Sequence, residues 1–137
     1  MRREDLNPPG LFHHPAFTRI VSVEGQRKTI YFAGQTSCDE QNAIVGKGDY
    51  VAQYRQIMEN LTVALEAAGA TWNDVVFKRQ YTLDIEKYRV AASDSGNPRY
   101  WDPQRPPPST LLGVAALADP DYLIEIEIVA EVDGNPA

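Results

Sequence analysis

Cysteine is almost absent from this chain: Cys38 is the single thiol in 137 residues. One thiol cannot form an internal disulfide, which excludes the stapled scaffolds of small secreted proteins. Histidine is confined to the adjacent pair His13-His14. Adjacent side chains on an extended segment point apart, and no cysteine or carboxylate falls at ligand spacing, so no metal site is expected. Cys38 has no histidine near it in sequence to form a nucleophile pair and is expected to be inert. No apolar stretch approaches the ~18 residues of a membrane span, and the first ten residues lack the apolar core of a secretory signal. Thirteen basic against nineteen acidic residues give a net charge of −6, with no block of five like charges. That balance opposes a nucleic-acid or anionic-membrane surface, which needs a basic stripe. Gly46-Lys-Gly48 lacks both the spacing and the following Ser/Thr of a phosphate-cradling loop. No cofactor is expected, no internal repeat is visible, and the expected location is cytoplasmic.

What remains is ordinary for one soluble domain: 43% hydrophobic and 23% charged residues. A chain of this size buries roughly two thirds of its unfolded surface. Residues 1–14, rich in proline, charge and histidine, are expected to form a flexible arm, with a single domain over 15–137. Residues 18–24 and 28–33 are rich in β-branched and aromatic side chains, and Gly25-Gln26 between them predicts a hairpin. A loop follows from Gly34 to Gly48. Asp49 then caps a helix whose apolar residues, Val51, Tyr54, Met58, Leu61, Leu65 and Ala68, recur at spacings of three and four, ended by Gly69. The segment 75–84 alternates as a strand with Phe77, Arg79, Tyr81 and Leu83 on one face. A short helix is expected over 85–92. Five prolines in the eleven residues from Pro98 to Pro108 impose an extended approach to the next strand.

Strands are expected over 109–116 and 122–132. In the last, Tyr122, Ile124, Ile126, Ile128, Ala130 and Val132 share one face and Leu123, Glu125, Glu127, Val129 and Glu131 the other. The order β-β-α-β-α-β-β gives an α+β layout with helices on one side of a mixed sheet. Two helices leave the far sheet face as a candidate for burial against other subunits.

The run Pro106-Pro-Pro-Ser-Thr-Leu-Leu-Gly-Val-Ala-Ala-Leu117, followed by Tyr122-Leu-Ile-Glu-Ile-Glu-Ile-Val-Ala130, resembles the signature of the Rid (YjgF-like) family of enamine/imine deaminases. Tyr31-Phe-Ala-Gly-Gln35 is similar to the family's strand end. Gln53 with Asn60-Leu61, Leu65-Glu-Ala-Ala-Gly-Ala70 and Asp74-Val-Val76 resemble its helix and exit. The resemblance spans about residues 15 to 132. It implies a chorismate-mutase-like fold and a homotrimer with ligand clefts between neighbouring subunits. The family's carboxylate-binding arginine falls on Ser109, its tyrosine near the first strand on Phe17, and the serine of its Ser-Gly-Gln turn on Ala33. The small or sulfur-bearing residue two past the arginine, whose backbone helps hold ligand and water, falls on Leu111. The cleft glutamate is retained as Glu125.

A serine cannot replace the two parallel charge-assisted bonds of an arginine fork. The implied cleft is therefore more apolar than the family norm, which disfavours a small doubly polar substrate such as 2-aminoacrylate. Imine or enamine hydrolysis needs water added at the C=N carbon and a proton delivered to the leaving nitrogen, and one carboxylate serves both steps in turn. Glu125 in an apolar cleft would have its pKa raised by desolvation. The competing reading of Glu125, Glu127 and Glu131 is a solvated or ion-paired strand face. Ser109 and Thr110 are candidates for a polar substituent of the ligand, or simply the start of a strand. Arg79, Arg99 and Arg105 are candidate replacement anchors, Arg79 alternatively the partner of an inter-subunit acid. Tyr100-Trp101 is expected to pack in the core. Three functional readings follow. The first is hydrolytic deamination of a non-standard, more apolar substrate. The second is non-catalytic metabolite binding by the same trimer, and the third, weakest, is ribonuclease activity.

Overall fold

The computed structural model describes residues 1–134; the last three residues of the expected 15–137 domain lie outside the described residues. Six strands and two α-helices follow in the order β1 (Arg2–Leu6), β2 (Ile20–Glu24), β3 (Arg27–Gln35), α1 (Tyr50–Ala67), β4 (Val75–Thr82), α2 (Ile85–Ala92), β5 (Ser109–Gly113) and β6 (Ile124–Asp133). A 3-10 turn over Trp72–Asp74 joins α1 to β4. The main sheet has the order β3-β6-β4-β5, with β4 and β5 parallel and the other pairs antiparallel. The result is a mixed sheet with both helices on one side. Among the described residues no helix is long and apolar enough to cross a membrane.

Two expectations are corrected. The first half of the arm is not loose: Arg2–Leu6 pairs antiparallel with Ile20–Glu24 in a separate two-stranded sheet. Alternation in Arg2-Arg-Glu-Asp-Leu6 lets Arg3 and Asp5 turn inward and pair at 3.0 Å, so the strand forms from charge pairing where apolar alternation is missing. The hairpin over 18–33 does not form either. β2 is taken by β1 and β3 by β6, and Gly25, at φ +93, only turns the chain between two sheets.

The helices follow the sequence signals closely. Asp49 accepts from the Ala52 N–H at 3.0 Å, and Gly69 leaves α1 at φ +77, where a β-carbon would be strained. α1 buries Ile57, Met58, Leu61 and Leu65 completely against Ile124, Ile126, Ile128 and Ala130 of β6. Each such side chain stabilises the fold by roughly 2 kcal/mol. β6 alternates as expected, its isoleucines beneath the helices and its glutamates on the open face. β5 is shorter than expected, ending at Gly113.

Two side chains fix the loops that frame the open end of the sheet. Gln53 is fully buried; its amide donates to the carbonyls of Gly46 (3.2 Å) and Asp121 (2.9 Å) and accepts from the Leu123 N–H (3.0 Å). It therefore holds the entry of β6 against α1. Asn60 donates to the carbonyls of Thr36 (3.3 Å) and Cys38 (2.8 Å), pinning the exit of β3 to the same helix.

Candidate functional site

Glu125 stands on the open face of β6, opposite Tyr81 of β4 in the ladder. On its other side β3 carries a bulge. Phe32 pairs with Ile128 and Gln35 with Ile126, so three steps on β3 span two on β6 and one extra residue is accommodated at Ala33-Gly34. The bulge lays the Gly34 backbone against the carboxylate. A β-carbon on Gly34 would sit 2.6 Å from Glu125 Oε2 and 3.0 Å from its Cδ, so only glycine leaves the carboxylate where it is. Gly34 also borders a depression of about 530 Å³ lined by Thr36, Cys38, Gln56 and Asn60, among others.

The electrostatics separate the two glutamates of this face. Glu127 Oε1 accepts from Arg79 Nη1 at 2.7 Å and from the Tyr81 hydroxyl at 2.8 Å. Among the described residues no such donor reaches Glu125. Burial, and secondarily the charge of Glu127, raise its pKa above the ordinary carboxylate value. One carboxylate is thus held in an ion pair while its neighbour, roughly 7 Å along the strand, is poised to take up a proton. The ion-paired strand face read as the alternative for these glutamates describes Glu127 and Glu131, which pairs with Arg27 at 3.4 Å, but not Glu125.

The other expected site residues are distributed as follows. Ala33 is exposed in the bulge beside Gly34. Phe17 is half-buried, stacked on His14 (ring centroids 4.8 Å apart, 8° between planes), with the Arg19 guanidinium 5.1 Å from its centroid. The next residue, Thr18, donates to the Pro106 carbonyl at 2.5 Å, which draws Phe17 toward the start of β5. Ser109 opposes Lys78, Thr110 opposes Arg79, and Leu111 opposes Gln80. Since Lys78 and Gln80 are buried beneath the helix layer, Ser109 and Leu111 share that face, and Thr110 alone of the three shares the open face with Arg79. Arg79 and Arg105 are both committed within the chain, the first to Glu127 and the second to Asp5 at 3.0 Å. Arg99 borders a different depression, with Arg55 and Tyr100.

β4 lies between β5 and β6 and Glu125 is offset by two residues from the Thr110–Arg79–Glu127 row, so Thr110 and Glu125 stand roughly 12 Å apart. Glu125 with Ala33-Gly34 and the Phe17–Ser109 segment therefore form two half-sites, not one closed pocket. The sequence reading missed Gly34, whose role is purely steric, and the Tyr122 hydroxyl, which lies 3.1 Å from Cys38 Sγ. It also missed Lys78, although strict alternation from Phe77, Arg79 and Tyr81 already assigns Lys78 to the opposite, helix-covered face. Among the described residues no group of three or more His, Cys, Asp or Glu side chains is arranged to hold a metal ion.

A mixed sheet covered by helices on one side, with an isolated carboxylate seated against a glycine bulge on the other, defines a small α+β domain of the YjgF-like type. The comparisons with known proteins assign the family. Residues 13–132 match the family model described as Endoribonuclease L-PSP. The chain is 30% identical over 132 residues to the 3-aminoacrylate deaminase RutC of Acinetobacter baylyi, covering 96% of this chain and 100% of that one. It is 34% identical over 101 residues to a RutC family protein of Pyrococcus horikoshii, covering 74% and 77%. Among solved structures, a Rid-family protein of unknown function from Yersinia pestis superposes with a TM-score of 0.76 at 31% identity, covering 95% and 98%. A YjgF/YER057c/UK114 family member from Mycobacterium tuberculosis superposes with a TM-score of 0.58 at 28% identity, covering 96% and 100%. The chain belongs to the Rid (YjgF-like) family.

Proposed function

We propose that the protein is a hydrolytic deaminase that converts an enamine or imine to a carbonyl compound and ammonia, acting on a substrate more apolar than 2-aminoacrylate. The observation that carries this reading is the Glu125 carboxylate, held against the Gly34 backbone, unpaired, and with its pKa raised by burial. As a carboxylate it accepts a proton from water while the water oxygen bonds to the C=N carbon. As the resulting acid it returns that proton to the departing nitrogen, so one group serves both halves of the reaction. Glu127 is held by Arg79 and Tyr81, and its charge helps to keep the Glu125 pKa up. The 30% identity to a 3-aminoacrylate deaminase supports the reaction class. Phe17, Ala33, Ser109, Thr110 and Leu111 are the proposed lining. None of them carries a charge, which is the reason for choosing a more apolar substrate.

The active unit we propose is a homotrimer whose clefts join the Glu125 half-site of one protomer to the Phe17–Ser109 half-site of another. The separation of the half-sites and the apolar content of the open face, where Tyr31 is 79% exposed and Phe77 and Val129 flank it, both favour that assembly. The ribonuclease reading finds no support in the charge layout. Arg2, Arg3, Arg27, Arg55, Arg79, Arg89 and Arg105 each pair with a carboxylate, leaving no continuous free track for phosphates.

The test is ammonia release from imines generated in situ by an amino-acid oxidase, over a panel that includes bulky and decarboxylated substrates. Acceleration on the apolar members, lost in Glu125→Ala, is expected. No acceleration anywhere on the panel would remove the hydrolase reading and leave metabolite binding without turnover. Ser109→Arg is expected to shift preference toward small 2-imino acids.

A further inference from the structure

The chain has four lysines, and the fold buries one: Lys28, Lys47 and Lys87 are exposed, whereas Lys78 keeps 6% of its surface. Its Nζ lies 4.2 Å from the centroid of the Trp101 ring. Among the described residues no carboxylate pairs with it, in contrast to Lys47, which meets Asp121 at 3.6 Å. A buried ammonium without a counter-charge is costly, and removing the proton relieves that cost. Desolvation accordingly lowers the Lys78 pKa to about 8. About a quarter of such amines are neutral at pH 7.5, against roughly 0.1% of exposed lysines, an advantage of about 200-fold in nucleophilic amine.

The surroundings indicate what the amine would meet. Gln80, two residues along β4 on the same face, is 4% exposed, and its Nε2 is a fully buried donor with no acceptor. Ser109, directly opposite Lys78 across the parallel ladder, is half-buried on that face too. A buried amine, an orphaned amide donor and a half-buried hydroxyl therefore lie on one face of the adjoining strands β4 and β5, with an aromatic ring over the amine. An oxygen acceptor is the group this patch lacks.

We propose that Lys78 is a nucleophilic site that forms a reversible imine with small carbonyl compounds between β4 and β5. The Nζ lone pair bonds to the carbonyl carbon while the C=O π electrons pass to oxygen, which takes a proton to give a carbinolamine. Loss of water then forms C=N, so amine plus carbonyl becomes imine plus water with no change of oxidation state. The Gln80 N–H and the Ser109 hydroxyl are the donors for the oxygen of the carbonyl compound. Lys78 faces the helix layer and Glu125 the open face; Ser109 is the one residue shared with the deaminase reading, and labelling of Lys78 reports on this site whether or not ammonia is released.

The experiment treats the full chain with glyoxylate and cyanoborohydride, which reduces the iminium to a stable secondary amine, and maps the adducts by mass spectrometry of peptides. The expected result is initial labelling of Lys78 at pH 7.5 at least about 10-fold faster than at Lys28, Lys47 or Lys87, with a rate midpoint near pH 8. The α-amino group of Met1, paired to Asp133 at 2.8 Å, maps to a separate peptide. Trp101→Leu is expected to slow Lys78 labelling several-fold at pH 7.5 and move its midpoint upward, since hydration restores the ammonium. Labelling of Lys78 no faster than the exposed lysines, or a rate still climbing above pH 10, overturns the proposal. So does a Trp101→Leu profile identical to the native one.

Discussion

Replacing Gly34 by alanine perturbs the candidate site through a single added carbon. That carbon would stand 2.6 Å from Glu125 Oε2, 3.0 Å from Cδ and 3.1 Å from Cγ, where ordinary contacts need roughly 3.4 Å. The carboxylate must therefore swing away by about 1 Å. A misplacement of that size at a reacting group costs about 100-fold in rate, or about 2.7 kcal/mol of barrier. Stability should respond far less. Gly34 lies outside the positive-φ region, so alanine fits the backbone, and the group it strikes is the end of a flexible side chain. The overpacking penalty of about 1 kcal/mol is offset in part by the lower unfolded-state entropy of alanine, about 0.4–1 kcal/mol. Steady-state kinetics of ammonia release beside thermal unfolding would show a large fall in kcat with little change in Tm. The double mutant refines the test: with Glu125→Ala already in place, Gly34→Ala should cost nothing further in rate. Native kcat in Gly34→Ala, or equal losses in both backgrounds, would refute the role assigned to the carboxylate's position.

Three further outcomes follow from the same geometry. Glu125→Gln should raise Tm at pH 8, because a carboxylate whose folded pKa is raised weakens the fold once ionised; the gain should vanish near pH 3, below the unfolded pKa of about 4.3, where both states are protonated, and a gain confined to pH 3 would reverse the assignment. Lys78→Met should be more stable than the native chain by up to about 3 kcal/mol below pH 8, since the native ammonium is penalised there. The native chain recovers the difference between pH 8 and about 10.4 as the unfolded state alone stays protonated, and denaturant titrations at pH 7 and pH 10 measure it. Thr18→Val removes the shorter of two hydrogen bonds to the Pro106 carbonyl and leaves the Thr18 backbone N–H donating at 3.3 Å, so it should cost about 1 kcal/mol and loosen Phe17 at the β5 approach; ligand binding unchanged beside a lowered Tm would make the contact purely structural.

The fold was legible where a periodic pattern met a clear cap. α1 starts at Asp49 and ends at Gly69, and the alternation of β6 separates isoleucines from glutamates, both as the sequence implies. The pairing of strands was not legible. A glycine turn between two β-rich segments suggests a hairpin locally, but β2 and β3 each find a better partner far along the chain. β1 was hidden because its stability comes from an Arg3–Asp5 pair and the link from Asp5 to Arg105, neither of which leaves a periodic signal.

Glu125 was legible through its family motif and its strand face. What distinguishes it from Glu127, two donors' worth of difference in surroundings, depends on Arg79 and Tyr81 standing across the ladder and needed the register. The arginines illustrate the same limit: sequence leaves Arg79 and Arg105 as candidate anchors, and only the fold reveals the carboxylates that already hold them.

The most direct measurement is kcat/KM for imine hydrolysis by the native chain and by Glu125→Gln, on the best substrate of the apolar panel. A general acid–base group contributes about 100- to 10,000-fold, so Glu125→Gln should lose at least 100-fold while KM changes little. Retention of activity within a few-fold of native would contradict the central claim.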